Sequence, residues 1–277
     1  GLVGSEMCIR DSLLSERSMK KIYIFFLLLV TFLTISRAGE PKRLFILLGQ
    51  SNMAGRAPIE DVDSVALPLV KLLNASGSFE IARNPLNRFS NIRKGIDVQK
   101  LGPGYTFAKV LSEQLQDTIF LVVNARGGTP LEHFMKNDAT GYYERTLSRI
   151  KQALSECTDL KPEAIIWHQG ESNRTDYQNY LKNLNTLVSD LRSDLGVPNL
   201  PFIAGEIGRW NSDYSYIAKK IALIPDSIPN SGLVSSEGLT NIDKFHFDAE
   251  SQRELGRRYV EKYLELSGEK GAKLKIK

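Results

Sequence analysis

An α/β fold, with a parallel sheet covered by helices on both faces, is what the sequence implies. Short apolar runs of strand length alternate with longer segments of helical periodicity, and strand, loop and helix repeat in that order. The runs are apolar at successive residues rather than at every second one, as strands buried on both faces require. Each run empties into a polar or glycine-rich cluster, and in such a sheet those clusters converge on one edge.

The first strand is expected over Leu44–Leu48. It stops at Gly49, and Gln50, Ser51 and Asn52 follow at once, with Gly49 and Gly55 allowing tight turns on either side of Ser51. Ala57–Asp97 shows little periodicity and carries Pro58, Pro68, Pro85 and the asparagine-rich piece Asn84–Asn91. It is expected to hold short helical pieces and one wall of a substrate cleft, because long loops in compact domains are usually functional. Phe107, Val110, Leu111 and Leu115 predict a helix over Tyr105–Leu115. Thr118–Val123 is the second strand and empties into the glycine loop Asn124–Pro130. A helix over Tyr142–Cys157 follows, with Tyr143, Leu147, Ile150 and Leu154 on one face. Ala164–Trp167 is the third strand and ends in the cluster His168–Asn173. Tyr177–Leu195 is a long helix closed by Gly196 and Pro198. Pro201–Ala204 is the fourth strand, ending in Gly205 and Glu206. Tyr214–Leu223 is a helix, Gly232–Val234 a short fifth strand and Asp248–Leu266 the last helix. The tail from Ser267 is rich in glycine and lysine and is expected to fray.

The 277 residues are 42% hydrophobic and 25% charged, an ordinary globular composition that suits one α/β domain with a sizeable core. The formal charge of +4 is modest and no basic face interleaved with aromatics is visible, which argues against nucleic acid as a partner. Met19 opens a basic n-region, Ile22–Ile35 is an apolar run, and Ser36-Arg37-Ala38 has the small residues of a cleavage site. Residues 19–38 therefore read as a signal peptide, and the protein as exported, periplasmic or secreted, with no stable membrane insertion after cleavage. The run is too short for a comfortable membrane span. Residues 1–18 precede Met19 and are expected to be non-native or wrongly assigned sequence outside the fold. The domain is then 39–266 and the tail 267–277. Cleavage removes Cys8 and leaves Cys157 alone, so no internal disulfide is available. Cys157 reads as a partly buried helix-end residue.

Ser51 at the end of a buried strand is placed to act as a nucleophile if a base reaches it. The alternative is that Ser51 or Asn52 only caps the next element. Asp243 and His246, three apart just before the last helix, can set a carboxylate on imidazole Nδ1 and leave Nε2 free. Of the other two histidines, His133 suits a surface or packing role and His168 a structural hydrogen bond at a strand end. Acyl transfer also needs donors for an oxyanion. Gly127 and Gly128 offer unobstructed amides, unless they form only a tight turn, and Gln169 or Asn173 offers a side-chain amide. Glu171 and Glu206 sit near strand ends and suit holding Arg126 or Arg209, or orienting loop backbone. Paired carboxylates for glycoside hydrolysis would leave Ser51 and His246 unexplained. No Gly-x-Ser-x-Gly elbow surrounds Ser51, and neither His-Glu-x-x-His nor paired cysteines appear, so no metal or cofactor is expected.

Four stretches carry a resemblance: Phe45–Gly55, Asn124–Thr129, Trp167–Asn173 and Asp243–Phe247. Together they are similar to the four blocks of the sialate O-acetylesterase-like carbohydrate esterases of the SGNH hydrolase superfamily, which include acetylxylan esterases. The likeness covers most of residues 43–265. It implies a flavodoxin-like three-layer α/β/α sandwich with a central parallel five-stranded sheet, and metal-independent deacetylation of sugars. By that match Ser51 is the nucleophile, His246 the base and Asp243 its orienter. The oxyanion donors are the Ser51 amide, a glycine amide of the pair Gly127 and Gly128, and the Gln169 side chain. Gln50, Asn52, Arg126 and Glu171 are the expected substrate-binding residues. Gln169-Gly-Glu171 replaces the superfamily's Gly-x-Asn-Asp, which suits the carbohydrate-esterase branch. The expected function is an exported serine esterase acting on acetylated carbohydrate, of the acetylxylan or sialic acid type. The competing readings are a catalytically silent glycan-binding protein and an SGNH lipase or thioesterase.

Overall fold

A computed structural model describes residues 41–269. The expected leader over 19–38 and the stretch before it lie outside those residues, as does the tail beyond 269. In chain order the elements are β1 (Lys42–Gly49), α1 (Ser51–Ala54), α2 (Asp61–Ser64), β2 (Leu67–Leu73), β3 (Phe79–Ala82), α3 (Pro103–Leu115), β4 (Ile119–Ala125) and α4 (Tyr142–Glu156). There follow β5 (Leu160–His168), α5 (Tyr180–Leu195), β6 (Phe202–Gly205), α6 (Ser215–Ala222), α7 (Ile224–Ser227), β7 (Ser231–Val234) and α8 (Ala249–Ser267). No helix among the described residues is long and apolar enough to cross a membrane.

The sheet has seven strands in the order β3-β2-β4-β1-β5-β6-β7, not the expected five. The run β4-β1-β5-β6-β7 is the flavodoxin-like order, all parallel. The two extra strands come from the aperiodic stretch 57–97: β2 pairs parallel with β4, and β3 pairs antiparallel with β2 at the edge. Pro68 hid β2 from the sequence. It lies in the irregular step between Leu67 and Lys71, before the pairing of Val70 with Ile119, where a missing N–H breaks no regular ladder. The expected short helical pieces are also present there, as α2 and the 3-10 turn Leu86–Phe89. Pro162 likewise concealed the start of β5, which runs from Leu160 past a register shift opposite Leu44 and Phe45.

Alternate residues of β1 divide the core. Phe45 and Leu47 pack on one face with Tyr105, Phe107 and Leu111 of α3 and Leu255, Tyr259 and Tyr263 of α8. Leu44, Ile46 and Leu48 pack on the other with Ile150 of α4, Leu184 and Val188 of α5 and Ile217 of α6. Removing this apolar surface from water on both faces is what holds the three layers together. Arg253 of α8 adds a tie to α2, its Nη2 lying 2.9 Å from the buried Asp63 carboxylate.

The register levels the strand ends that matter. Gly49 lies opposite Ala125 of β4 and opposite His168 of β5. At φ 140°, Gly49 runs so close to β5 that a Cβ would stand 2.2 Å from the His168 carbonyl oxygen. Only glycine lets β1 end there and turn directly into Ser51.

Candidate active site

Ser51 is the first residue of α1 and is nearly buried. It lines a cavity of about 410 Å³ at the carboxyl edge of the sheet, between the ends of β1 and β5. This is the crevice at which open parallel sheets bind ligands. Among the described residues, the Ser51 hydroxyl makes no hydrogen bond. Gly127, in the loop after β4, closes on it: a Cβ there would lie 3.3 Å from Ser51 Cβ and 2.3 Å from Arg56 Nη2. Gly127 and Gly128 both line the cavity, and Gly127 is the one whose bare backbone approaches the serine.

His246 lines the same cavity from the loop before α8. That loop is closed by a bridge between Asn241 and Phe247 and by Ile242 N–H donating to His246 O at 2.9 Å. Asp243 folds back inside it. Its Oδ1 accepts from the amides of Phe245 at 2.7 Å and His246 at 2.9 Å, and its Oδ2 stands 2.7 Å from His246 Nδ1. An ionised carboxylate only accepts, so Nδ1–H donates and Nε2 keeps its lone pair. Partial burial pushes the Asp243 carboxyl up, but the hydrogen bonds from the ring and the two amides outweigh it and hold the group below the usual value. Phe247 anchors the loop edge-on against Trp210 and His168.

Several expected substrate contacts fall elsewhere. Asn52 is fully buried and faces no substrate. Its Nδ2 donates to Glu171 Oε1 at 2.6 Å and Phe245 O at 3.1 Å, and its Oδ1 accepts from Phe247 N–H at 3.2 Å and Gln252 Nε2 at 3.3 Å. Arg126 spends its guanidinium on the carbonyls of Ile92 and Arg93 and lies over the Tyr142 ring, outside the cavity lining. Gln169 is buried away from the cavity, with Nε2 donating to Asn173 Oδ1 at 2.7 Å and Thr129 O at 3.3 Å. The geometry gives it no role toward an oxyanion. Asn173 is held as firmly, by Leu131 N–H, Gln169 and Glu132. Gln50 and Glu171 do line the cavity, and Gln50 Oε1 accepts from Ser172 N–H at 3.2 Å. Burial pushes the Glu171 carboxyl up to about 7, against the pull of the Asn52 hydrogen bond. His168 is structural, with Nδ1 3.0 Å from the Tyr259 hydroxyl and burial lowering it to about 3. Glu206 holds Arg209 at 2.7 Å, and Cys157 ends α4 half-buried.

Three lining cations were not foreseen: Arg56, Lys94 and Arg174. Arg56 follows α1 and is held by Gly55 O and Val98 O; burial lowers its pKa. Arg174 follows the 3-10 turn Glu171–Asn173 and donates to Glu171 O at 3.2 Å. Lys94 reaches in from the wall between β3 and α3, its Nζ 3.3 Å from where a Gly128 Cβ would stand. Asn87 moors that wall, bonding Ala125 through both its amide ends and Gln99 through Nδ2. The cavity is thus rimmed by cations from three separate loops, with the serine and imidazole on its floor. No local sequence signal marked these cations, because each is an isolated charge until the loops converge.

Residues 41–265 match the family described as carbohydrate esterase, sialic acid-specific acetylesterase. The protein named probable carbohydrate esterase of Arabidopsis thaliana is 31% identical over 246 residues, covering 81% of this chain and 91% of that one. Its X-ray structure superposes with a TM-score of 0.73 at 28% identity, over 81% of this chain and 98% of that one. NanS follows with a TM-score of 0.62 at 17% identity, over 84% of this chain and all of that one (100%). A carbohydrate acetylesterase from Xanthomonas citri superposes with a TM-score of 0.60 at 16% identity, over 83% of this chain and 57% of that one. At those two identities the likeness is one of fold. The family match and the Arabidopsis relative together settle the class: this chain belongs to the sialic acid-specific acetylesterase family of carbohydrate esterases, and its activity is that of a carboxylic ester hydrolase on acetylated carbohydrate.

Proposed function

We infer that Ser51 carries the acyl group in a two-step deacetylation of an O-acetylated, acidic sugar. The observation behind this reading is the shared cavity: hydroxyl, imidazole and bare glycine backbone at its floor, and three cations around it. Ser51 Oγ attacks the acetyl carbonyl while His246 Nε2 takes the hydroxyl proton. The amides of Ser51 and of Gly127 or Gly128 stabilise the oxyanion. The carbon–oxygen bond to the sugar then breaks, His246 returns the proton to the leaving sugar oxygen, and an acetyl-serine remains. Water, deprotonated by His246, adds to that ester, and acetate leaves as the serine takes back its proton. Asp243 fixes the ring's tautomer and stabilises the imidazolium that forms in both steps.

The cations supply the finer part of the reading. A guanidinium or ammonium lining a cavity favours a carboxylate through charge-assisted hydrogen bonds. None of the three cations forms an ion pair with a carboxylate among the described residues. An acetylated sugar acid therefore suits the cavity better than neutral acetylated xylan. The reading includes export through the leader over 19–38, which N-terminal sequencing of the exported protein checks.

Acetate release from O-acetylated N-acetylneuraminic acid, acetylated xylan and an aryl acetate tests the substrate class. Lys94→Gln and Arg174→Gln should each raise KM for the acidic sugar roughly tenfold, the scale of one lost charge-assisted bond. Aryl acetate kinetics should stay within about twofold, since that ester brings no anion to the rim. Equal effects on both substrates, or a preference for neutral xylan, would count against the acidic-sugar reading.

A further inference from the structure

Asn52 stands next to Ser51 in sequence and holds both neighbours of His246, accepting from Phe247 N–H and donating to Phe245 O. An amide's two ends are nearly the same shape, so something must decide which end points where. Phe247 N–H, which can only donate, and Phe245 O, which can only accept, choose the orientation, and Glu171 Oε1, 2.6 Å from Asn52 Nδ2, reinforces it with a second acceptor. An acceptor there admits only the NH₂ end, which turns Oδ1 toward Phe247 N–H and Gln252. Among the described residues, Glu171 Oε2 is buried with no hydrogen-bond partner, and Asn52 is the one side chain bonded to the carboxyl. Three loops from distant parts of the chain thus meet on one amide.

We propose that Asn52 and Glu171 are positioning residues that set the reach of His246 toward Ser51, with Glu171 locking the Asn52 amide and Asn52 clamping the backbone on either side of the imidazole. The inference rests on the roles assigned to Ser51 and His246 above. A base displaced by about an ångström can lose on the order of a hundredfold in rate without any change in substrate affinity.

Other ionisable groups surround the pair. Arg174 donates to Glu171 O, and the phenols of Tyr180, Tyr214 and Tyr259, all pushed up by burial, are near enough to the Glu171 carboxyl to feel its charge. His168 sits behind Tyr259, while His246 with its partner Asp243, Arg56 and Lys94 are ranged around the cavity. Burial moves the three phenols up and His168 down, away from neutral pH in both cases, so these four groups keep one charge state where esterase activity is measured. A pH response confined to a variant at position 52 or 171 then belongs to that position.

Glu171→Gln still offers an oxygen to Asn52 Nδ2 and should keep kcat within about threefold of the parent. Glu171→Leu offers none and should lose about a hundredfold in kcat with KM for aryl acetate little changed. Asn52→Asp places a second carboxyl against Glu171, and one shared proton then replaces the amide N–H. Its kcat should fall further behind the parent as pH rises and that proton is lost, although the parent gains activity over the same range. A merely structural role would lower the melting temperature of all three variants without these splits, so kcat is measured on protein shown folded by circular dichroism. If Asn52→Asp does not fold, the Gln and Leu pair decides. Equal loss in Glu171→Gln and Glu171→Leu, or parental kcat in Glu171→Leu, overturns the inference while an inactive Ser51→Ala leaves the nucleophile intact. An active Ser51→Ala instead overturns the reading beneath it.

Discussion

Replacing Ser51 by alanine is expected to lower kcat on an aryl acetate by about 10⁵-fold or more, the scale on which serine hydrolases lose rate with their nucleophile. The fold should be unaffected. The Ser51 hydroxyl makes no hydrogen bond among the described residues, so its removal leaves no buried group unpaired, and alanine is a good former of the short helix that begins there. The expected result is therefore an inactive protein with a melting temperature within a degree or two of the parent. Steady-state kinetics and thermal denaturation on the same preparation check both halves. Turnover at the parental rate in Ser51→Ala would mean that some other group attacks the ester.

His246→Ala should cost on the order of 10⁴-fold in kcat. It should also change the shape of the pH profile. In the parent, a protonated imidazole cannot accept the serine proton, so activity is expected to fall on the acid side. Asp243 does not produce that limb, because the hydrogen bonds from His246 and the amides of Phe245 and His246 keep it ionised to lower pH than an ordinary carboxylate. Removing the imidazole should abolish the acid limb together with the rate, and pH–kcat/KM profiles of the two proteins show whether it does. An acid limb that persists in His246→Ala would assign it to another group, with Glu171, raised by burial, the nearest candidate.

The parts of this site that were legible in the sequence are those with short-range signatures. An apolar run followed at once by Gly49, Gln50 and Ser51 specifies a buried strand and its carboxyl end, and the three-residue spacing of Asp243 and His246 fits the observed Nδ1 contact. The five-strand core was legible for the same reason. The edge strands β2 and β3 were not, because Pro68 interrupts one and the other is only four residues long and half exposed. Asn52 was misread because a polar residue beside Ser51 suits a substrate contact equally well; its partners Glu171, Phe245, Phe247 and Gln252 lie more than a hundred residues away. Gln169 was misread in the same way, since only the packed loops show that Asn173 and Thr129 consume its amide. The cationic rim is the largest feature that local patterns concealed. Arg56, Lys94 and Arg174 share no motif and meet only through the convergence of loops at the sheet edge.

A mass-spectrometric map of the protein after reaction with a fluorophosphonate decides whether the Ser51 hydroxyl, which shares its cavity with His246, is the reacting atom. One adduct is expected, on the peptide that contains Ser51, absent from Ser51→Ala and slowed by an acetylated substrate present during labelling. An enzyme that releases acetate yet takes no adduct, or takes it on a different residue, would contradict the assignment of Ser51 as the acyl carrier.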